Sequence, residues 1–180
     1  MTAGVHDPTH MLAPYADVLG RDQTAYTNHV TRMLGVCDLL TAETPGERPS
    51  QRLEFIAAAV FHDLGIWSAG TFDYLEPSEA LAAGWLSSIG QQQLTSLVVT
   101  MIDQHHKLRP AGPQDSPIEI FRRADLVDVS LGAVRFGVPF RAYVALLRRF
   151  PDNGFHRRLV QLAAERAATH PLSPMPMLRW

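Results

Sequence analysis

Cysteine is nearly absent from this chain. A single residue, Cys37, among 180 excludes an internal disulfide and a cysteine-based zinc site. Lysine is as scarce: Lys107 stands alone beside 15 arginines, the remainder of the 16 Lys and Arg residues. Surplus positive charge is also missing, because 16 cationic residues face 18 acidic ones for a net charge of -2. A chain so balanced lacks the electrostatic footprint for gripping a nucleic-acid polymer. No apolar run approaches the ~18 residues a membrane span requires, so no membrane partner is expected. The opening MTAGVHDPTH has neither a basic nor an apolar region of the signal-peptide kind, so the expected location is the cytoplasm. Alternating apolar and polar positions, internal repeats and low-complexity segments are missing too, which leaves no candidate strand. What remains is 46% hydrophobic and 19% charged over 20.0 kDa, the profile of one globular domain, residues 1–180. A chain of this size buries roughly 70% of its unfolded surface and needs no covalent staple.

Proline and glycine punctuate a series of helices, and the fold class expected is all-α, with about seven to eight helices in a single compact domain. A short first helix covers residues 9–19. A second runs from Asp22 to Leu40, with Val30, Met33, Leu34 and Cys37 on one stripe. A third runs from Pro49 to Leu64; its stretch LEFIAAAVFHDL is apolar nearly all round and belongs at the centre. Gly65 is expected to end it, and the loop IWSAGTFDYLEP to follow. Further helices are expected from Pro77 to Ile89, Gln92 to His105, Pro117 to Leu131, Pro139 to Phe150 and Phe155 to His170. The tail 171–180, PLSPMPMLRW, is too rich in proline to be helical. Its Met177, Leu178 and Trp180 need cover, either on the body or on a second subunit, and the latter would make a homo-oligomer.

Polar residues interrupt these apolar faces at particular places. His62 and Asp63 sit near the end of the most apolar helix, where Leu53, Ile56, Val60 and Asp63 share a face. Asp125 falls in line with Ile118, Phe121 and Val129. His29 lies one turn from Met33. His105 and His106 end another helix. A lone histidine or aspartate of this kind is an ordinary core or capping residue. Together they place His and Asp groups on four helices, and a buried ionised carboxylate is costly unless paired or bound to a cation. One metal ion accounts for two aspartates and the neutral imidazoles at once.

The order of these residues resembles the HD-domain superfamily of metal-dependent phosphohydrolases. The match is His29 in AYTNHVTRM, His62-Asp63 in VFHDLG and Asp125 in FRRADLVD, and it spans residues 22–131. The resemblance implies an all-helical fold and one divalent metal ion held by His29, His62, Asp63 and Asp125. The residue types do not separate Fe, Mn, Mg, Zn, Co and Ni. Branches with a second metal carry a His-His pair, as His105-His106 does here. Those branches add a histidine at the start of the preceding helix, where this chain has Glu76 and Glu79. Relatives that read HDxGK place a lysine where this chain has Ile66.

The function expected is hydrolysis of a small phosphate ester or nucleotide by metal-activated water. His105 or His106 would serve as general acid, and Lys107 with Arg109 or Arg122 would neutralise the phosphate. Trp67, Phe72 and Tyr74 make the loop after the HD pair a lid or a pocket wall, with Trp67 facing a flat substrate group. Two alternatives use the same residues. One is a di-iron oxygenase or hydratase acting on a small substrate. The other is a non-catalytic binding domain with a structural metal.

Overall fold

The computed structural model describes residues 7–171 and residue 177. The chain opens with α1 (Pro8–Leu12), whose Asp7 carboxylate caps Thr9 N–H at 2.8 Å with Pro8 in the first turn, and with the single turn α2 (Ala16–Leu19). Next come α3 (Gln23–Leu40), α4 (Leu53–Phe61), the single turn α5 (Gly65–Ser68), α6 (Leu75–Ser88) and α7 (Thr95–Gln104). The remaining helices are α8 (Pro117–Val129), α9 (Phe140–Arg149) and α10 (Phe155–Thr169), and no strand forms among the described residues. The fold is therefore an all-α one.

Helix α4 is the hub. Phe55 to Phe61 are buried without exception, and α3, α6 and α7 pack around them. Each large side chain here contributes roughly 1.5–3 kcal/mol by leaving water. The most extensive helix pair is α3 on α8, which brings Asp125 and Asp128 of α8 against His29 and Arg32 of α3. Helices α6 and α7 pack on each other and on α4, α7 also meets α8, and α9 and α10 lean on α3.

Two boundaries differ from the sequence reading. The α4 helix ends at Phe61, and His62–Leu64 form a turn that leads into α5, where a plain loop was expected. Gly65 does not stop the helix through a left-handed backbone, since its φ is not positive. Its role is close approach: a Cβ there would lie 2.3 Å from the Tyr74 carbonyl oxygen and 2.8 Å from Ser78 Oγ. Ser78 Oγ accepts the Gly65 N–H at 2.9 Å, so α6 is pinned against the turn that carries His62 and Asp63. Helix α6 also begins at Leu75, two residues before Pro77. Proline is tolerated there because first-turn N–H groups have no helical acceptor.

Met177 is buried in a satellite cluster with Ile66, Phe72, Tyr74 and Leu75, backed by Leu159, Leu162 and Ala163. Leu178 and Trp180, the other tail residues expected to need cover, lie outside the described residues.

Candidate metal centre

Helix ends supply most of the cluster. His62 and Asp63 occupy the turn after α4, His105 and His106 the turn after α7, Asp125 the middle of α8 and His29 the first half of α3. A helix end leaves carbonyls without partners. His62 uses one, donating from Nδ1 to the Ala59 carbonyl at 2.8 Å, and His105 does the same to Ile102 at 2.5 Å. A carbonyl can only accept, so each Nδ1 carries the proton and each Nε2 presents a lone pair. His29 reaches the same state by another route: its Nδ1 donates to Asp128 Oδ2 at 2.7 Å.

These lone pairs converge. The Nε2 atoms of His29 and His62 are 3.1 Å apart, and both lie within 3.9 Å of Asp125 Oδ1. His62 Nε2 is 3.4 Å from Asp63 Oδ2, and Asp63 Oδ1 is 3.4 Å from His105 Nε2. His106 Nδ1 stands 3.6 Å from Asp125 Oδ2. The result is three overlapping triads: His29, His62 and Asp125; His62, Asp63 and His105; His105, His106 and Asp125. The four residues expected to share one ion thus fall into two triads joined by His62, and the His-His pair belongs to the same cluster.

A cation fits this arrangement. Asp63 Oδ1, Asp125 Oδ1 and His105 Nε2 are buried with no hydrogen-bond partner. Buried polar atoms are almost always partnered, and here three orphans of ligand type point at one another. Two neutral imidazole nitrogens 3.1 Å apart repel unless a proton or cation lies between them. That spacing is close to the separation of two ligands each about 2.1 Å from one ion.

The electrostatics agree. Burial above all lifts the Asp125 carboxyl to about 8; His105 opposes the shift, and Asp63 and Asp128 add to it. Burial also works against ionising Asp63, yet His62 and His105 hold it well below the usual carboxylate range. Burial takes His29 down to about 4 against the pull of Asp128. Burial, and then His105, press His106 well below its ordinary value. The protein alone supports one carboxylate here and protonates the other. A divalent ion would favour both as anions beside neutral histidines.

Access is narrow. The side chains of His29, His62 and His105 are fully buried and those of Asp63 and Asp125 nearly so, whereas His106 retains 19% of its side-chain exposure. Solvent therefore meets the cluster at His106, beside half-buried Lys107 and exposed Leu108 and Arg109. Two surface grooves of about 630 and 600 Å³ lie elsewhere, and neither is lined by a cluster residue.

Two other expected contributors are placed differently. Arg122 is not available to a substrate: it is buried, its Nε and Nη2 grip Glu119 at 2.8 and 2.7 Å, and Nη1 donates to the Lys107 carbonyl at 3.0 Å. Its effect is to hold the segment after His106. Trp67 is engaged by other residues: its indole N–H donates to Asp22 at 3.1 Å and its ring lies 4.9 Å from that of Tyr26, whose ring neighbours His29 and His62. Of the two α6 carboxylates, Glu76 is exposed and Glu79 belongs to none of the triads.

Sequence reasoning missed Asp128 and Arg32, and it named Tyr74 only as part of a lid or pocket wall. The Tyr74 hydroxyl is hydrogen-bonded to His106 Nε2 at 2.6 Å, inside the structure and not on a wall. Asp128 and Arg32 each sit three residues after a candidate ligand, on the same helix face, and that spacing was the available signal. Comparison with protein-family models, with curated proteins and with solved structures finds no match to this chain.

Proposed function

We propose that the chain is an HD-type metal-dependent phosphohydrolase acting on a small phosphate ester or nucleotide. The observation that carries this reading is the set of three buried, unpartnered ligand atoms facing a pair of imidazole nitrogens. His29, His62, Asp63 and Asp125 would hold a first divalent ion, and His105 and His106 with Asp125 would hold a second. Such an ion supplies Lewis acidity to a phosphoryl oxygen and lowers the pKa of water toward neutrality.

The chain's own groups supply the rest. Asp63 and Asp125 provide negative charge, and the Nδ1 bonds of His62 and His105 keep their Nε2 lone pairs aimed inward. His106 is the cluster histidine at the opening, with its Nε2 bonded to Tyr74; without a second ion it would be the proton donor to the leaving group. Lys107, and Arg109 beyond it, put positive charge at the rim, where an anionic substrate would arrive. The narrow opening favours a substrate that presents one small group to the cluster.

The test is turnover of phosphomonoesters, phosphodiesters and nucleotides by protein loaded with each of Mn²⁺, Mg²⁺, Co²⁺, Zn²⁺, Ni²⁺ and Fe²⁺. Turnover should be lost with chelator and in Asp63→Ala. A second reading, an iron oxygenase or hydratase, is favoured by one observation: Arg122 is consumed by Glu119, which leaves less cationic charge for a phosphate. An iron-loaded, coloured preparation that consumes dioxygen and cleaves no phosphate ester would select it.

A further inference from the structure

Asp128 lies outside the three triads, yet it is the most heavily bonded carboxylate near them. It is fully buried. Its Oδ2 accepts from His29 Nδ1 at 2.7 Å and from Arg32 Nη2 at 2.8 Å. Its Oδ1 accepts from Arg32 Nε at 2.8 Å and from the Tyr143 hydroxyl at 3.0 Å. Four charge-assisted or hydroxyl bonds leave this side chain no freedom to turn. The His29 ring is clamped from its face as well, stacked 4.1 Å from Phe155 at 16°.

Besides His29 and Arg32 of α3, the groups that fix Asp128 and Arg32 come from the C-terminal third of the chain. Tyr143 belongs to α9, and a Cβ at Gly132 would lie 2.7 Å from its ring, so only glycine lets Tyr143 come this close. Arg32 Nη1 donates onward to the Phe150 carbonyl at 2.9 Å, and His156 of α10 donates from Nε2 to the Asp128 carbonyl at 2.9 Å. A metal-binding histidine whose second nitrogen donates to a carboxylate has its tautomer and ring orientation fixed and its basicity raised.

We infer that Asp128 is a positioning residue for a metal ion at His29, and that α9 and α10 act on that ion through it. The inference rests on the metal reading above. The carboxylate keeps the His29 proton on Nδ1 and aims Nε2 at the point shared with His62 and Asp125. Helices α9 and α10 then have a role beyond covering the core: they hold the group that orients one ligand.

The test uses the full chain, stripped with chelator and titrated with Co²⁺. Affinity and the visible cobalt spectrum are read alongside the melting temperature of the chelated protein. Asp128→Asn keeps an acceptor for His29 but loses the charge; affinity should fall by a few-fold to about 10-fold. Removing only Asp128 would strand the buried Arg32, so the decisive variant is the double substitution Arg32→Met with Asp128→Leu, which removes both charges. Its affinity should fall roughly 10–100-fold, with an altered spectrum. Wild-type affinity and spectrum in the double variant, whatever its melting temperature, would overturn the inference and leave Asp128 a structural anchor. A wild-type chain that binds no cobalt would overturn the metal reading, and this inference with it.

Discussion

Asp125→Asn should make the metal-free protein more stable while abolishing its response to metal. Burial holds the Asp125 carboxyl protonated up to about pH 8, whereas in an unfolded chain it ionises near its ordinary value of about 4. Between those values the folded state retains a proton that the unfolded state releases. The contribution of Asp125 to stability is therefore fully present below about pH 4 and is lost progressively as pH rises toward 8. At pH 7 the loss amounts to as much as about 4 kcal/mol. Asparagine is nearly isosteric and has no proton to release. In chelator at pH 7 the variant should melt up to roughly 8–16 °C above wild type, and that difference should shrink as pH falls toward 4. Metal closes the gap: at a free concentration 1,000 times the Kd, wild type gains about 4.1 kcal/mol by mass action, and the variant, short of one ligand, gains little. Thermal melts of both proteins, with chelator and with Mn²⁺ or Co²⁺ across that pH range, decide the matter. A chelated variant less stable than chelated wild type throughout, or equal stabilisation of both by metal, would refute the reasoning.

Gly65→Ala should cost more than 2 kcal/mol in urea unfolding, because its methyl group would lie 2.3 Å from the Tyr74 carbonyl oxygen. Met177→Ala should cost about 2 kcal/mol by opening the cluster of Ile66, Phe72, Tyr74 and Leu75, and the same melts would read it. Lys107→Met should leave metal content and melting temperature unchanged while slowing turnover of anionic substrates more than neutral ones; equal slowing of both would remove Lys107 from the rim role. His106→Ala should lower turnover by about 10²–10⁴-fold if the residue only donates a proton. An accompanying loss of one metal equivalent, measured by elemental analysis, would make it a ligand.

Much of the fold was legible because helices advertise themselves locally. Apolar spacing marked α3, α8 and α10 to within one or two residues, and Pro117 after the capping Ser116 marked where α8 starts. The buried centre at α4 followed from a segment with no polar face. The reading failed between Phe61 and Leu75, where a loop was expected and α5 forms. There the backbone is determined by the contact of Gly65 with Tyr74 and Ser78, partners nine and thirteen residues away that no local pattern reveals.

The candidate site divides in the same way. The sequence alone determined which helices carry histidine and aspartate on faces that should be apolar, because helical periodicity fixes azimuth along a single element. It could not determine how those faces are turned toward one another. Only the tertiary structure placed the His29 and His62 nitrogens 3.1 Å apart, drew His105 into a triad with Asp63, and set the Tyr74 hydroxyl against His106. It also settled the competition for charged partners. Arg122 lies one turn before Asp125 in the sequence but is captured by Glu119, and Arg32 goes to Asp128. Asp63 and Asp125 are thereby left without arginine, and a buried carboxylate that no side-chain cation reaches is the physical ground on which a metal ion is called for.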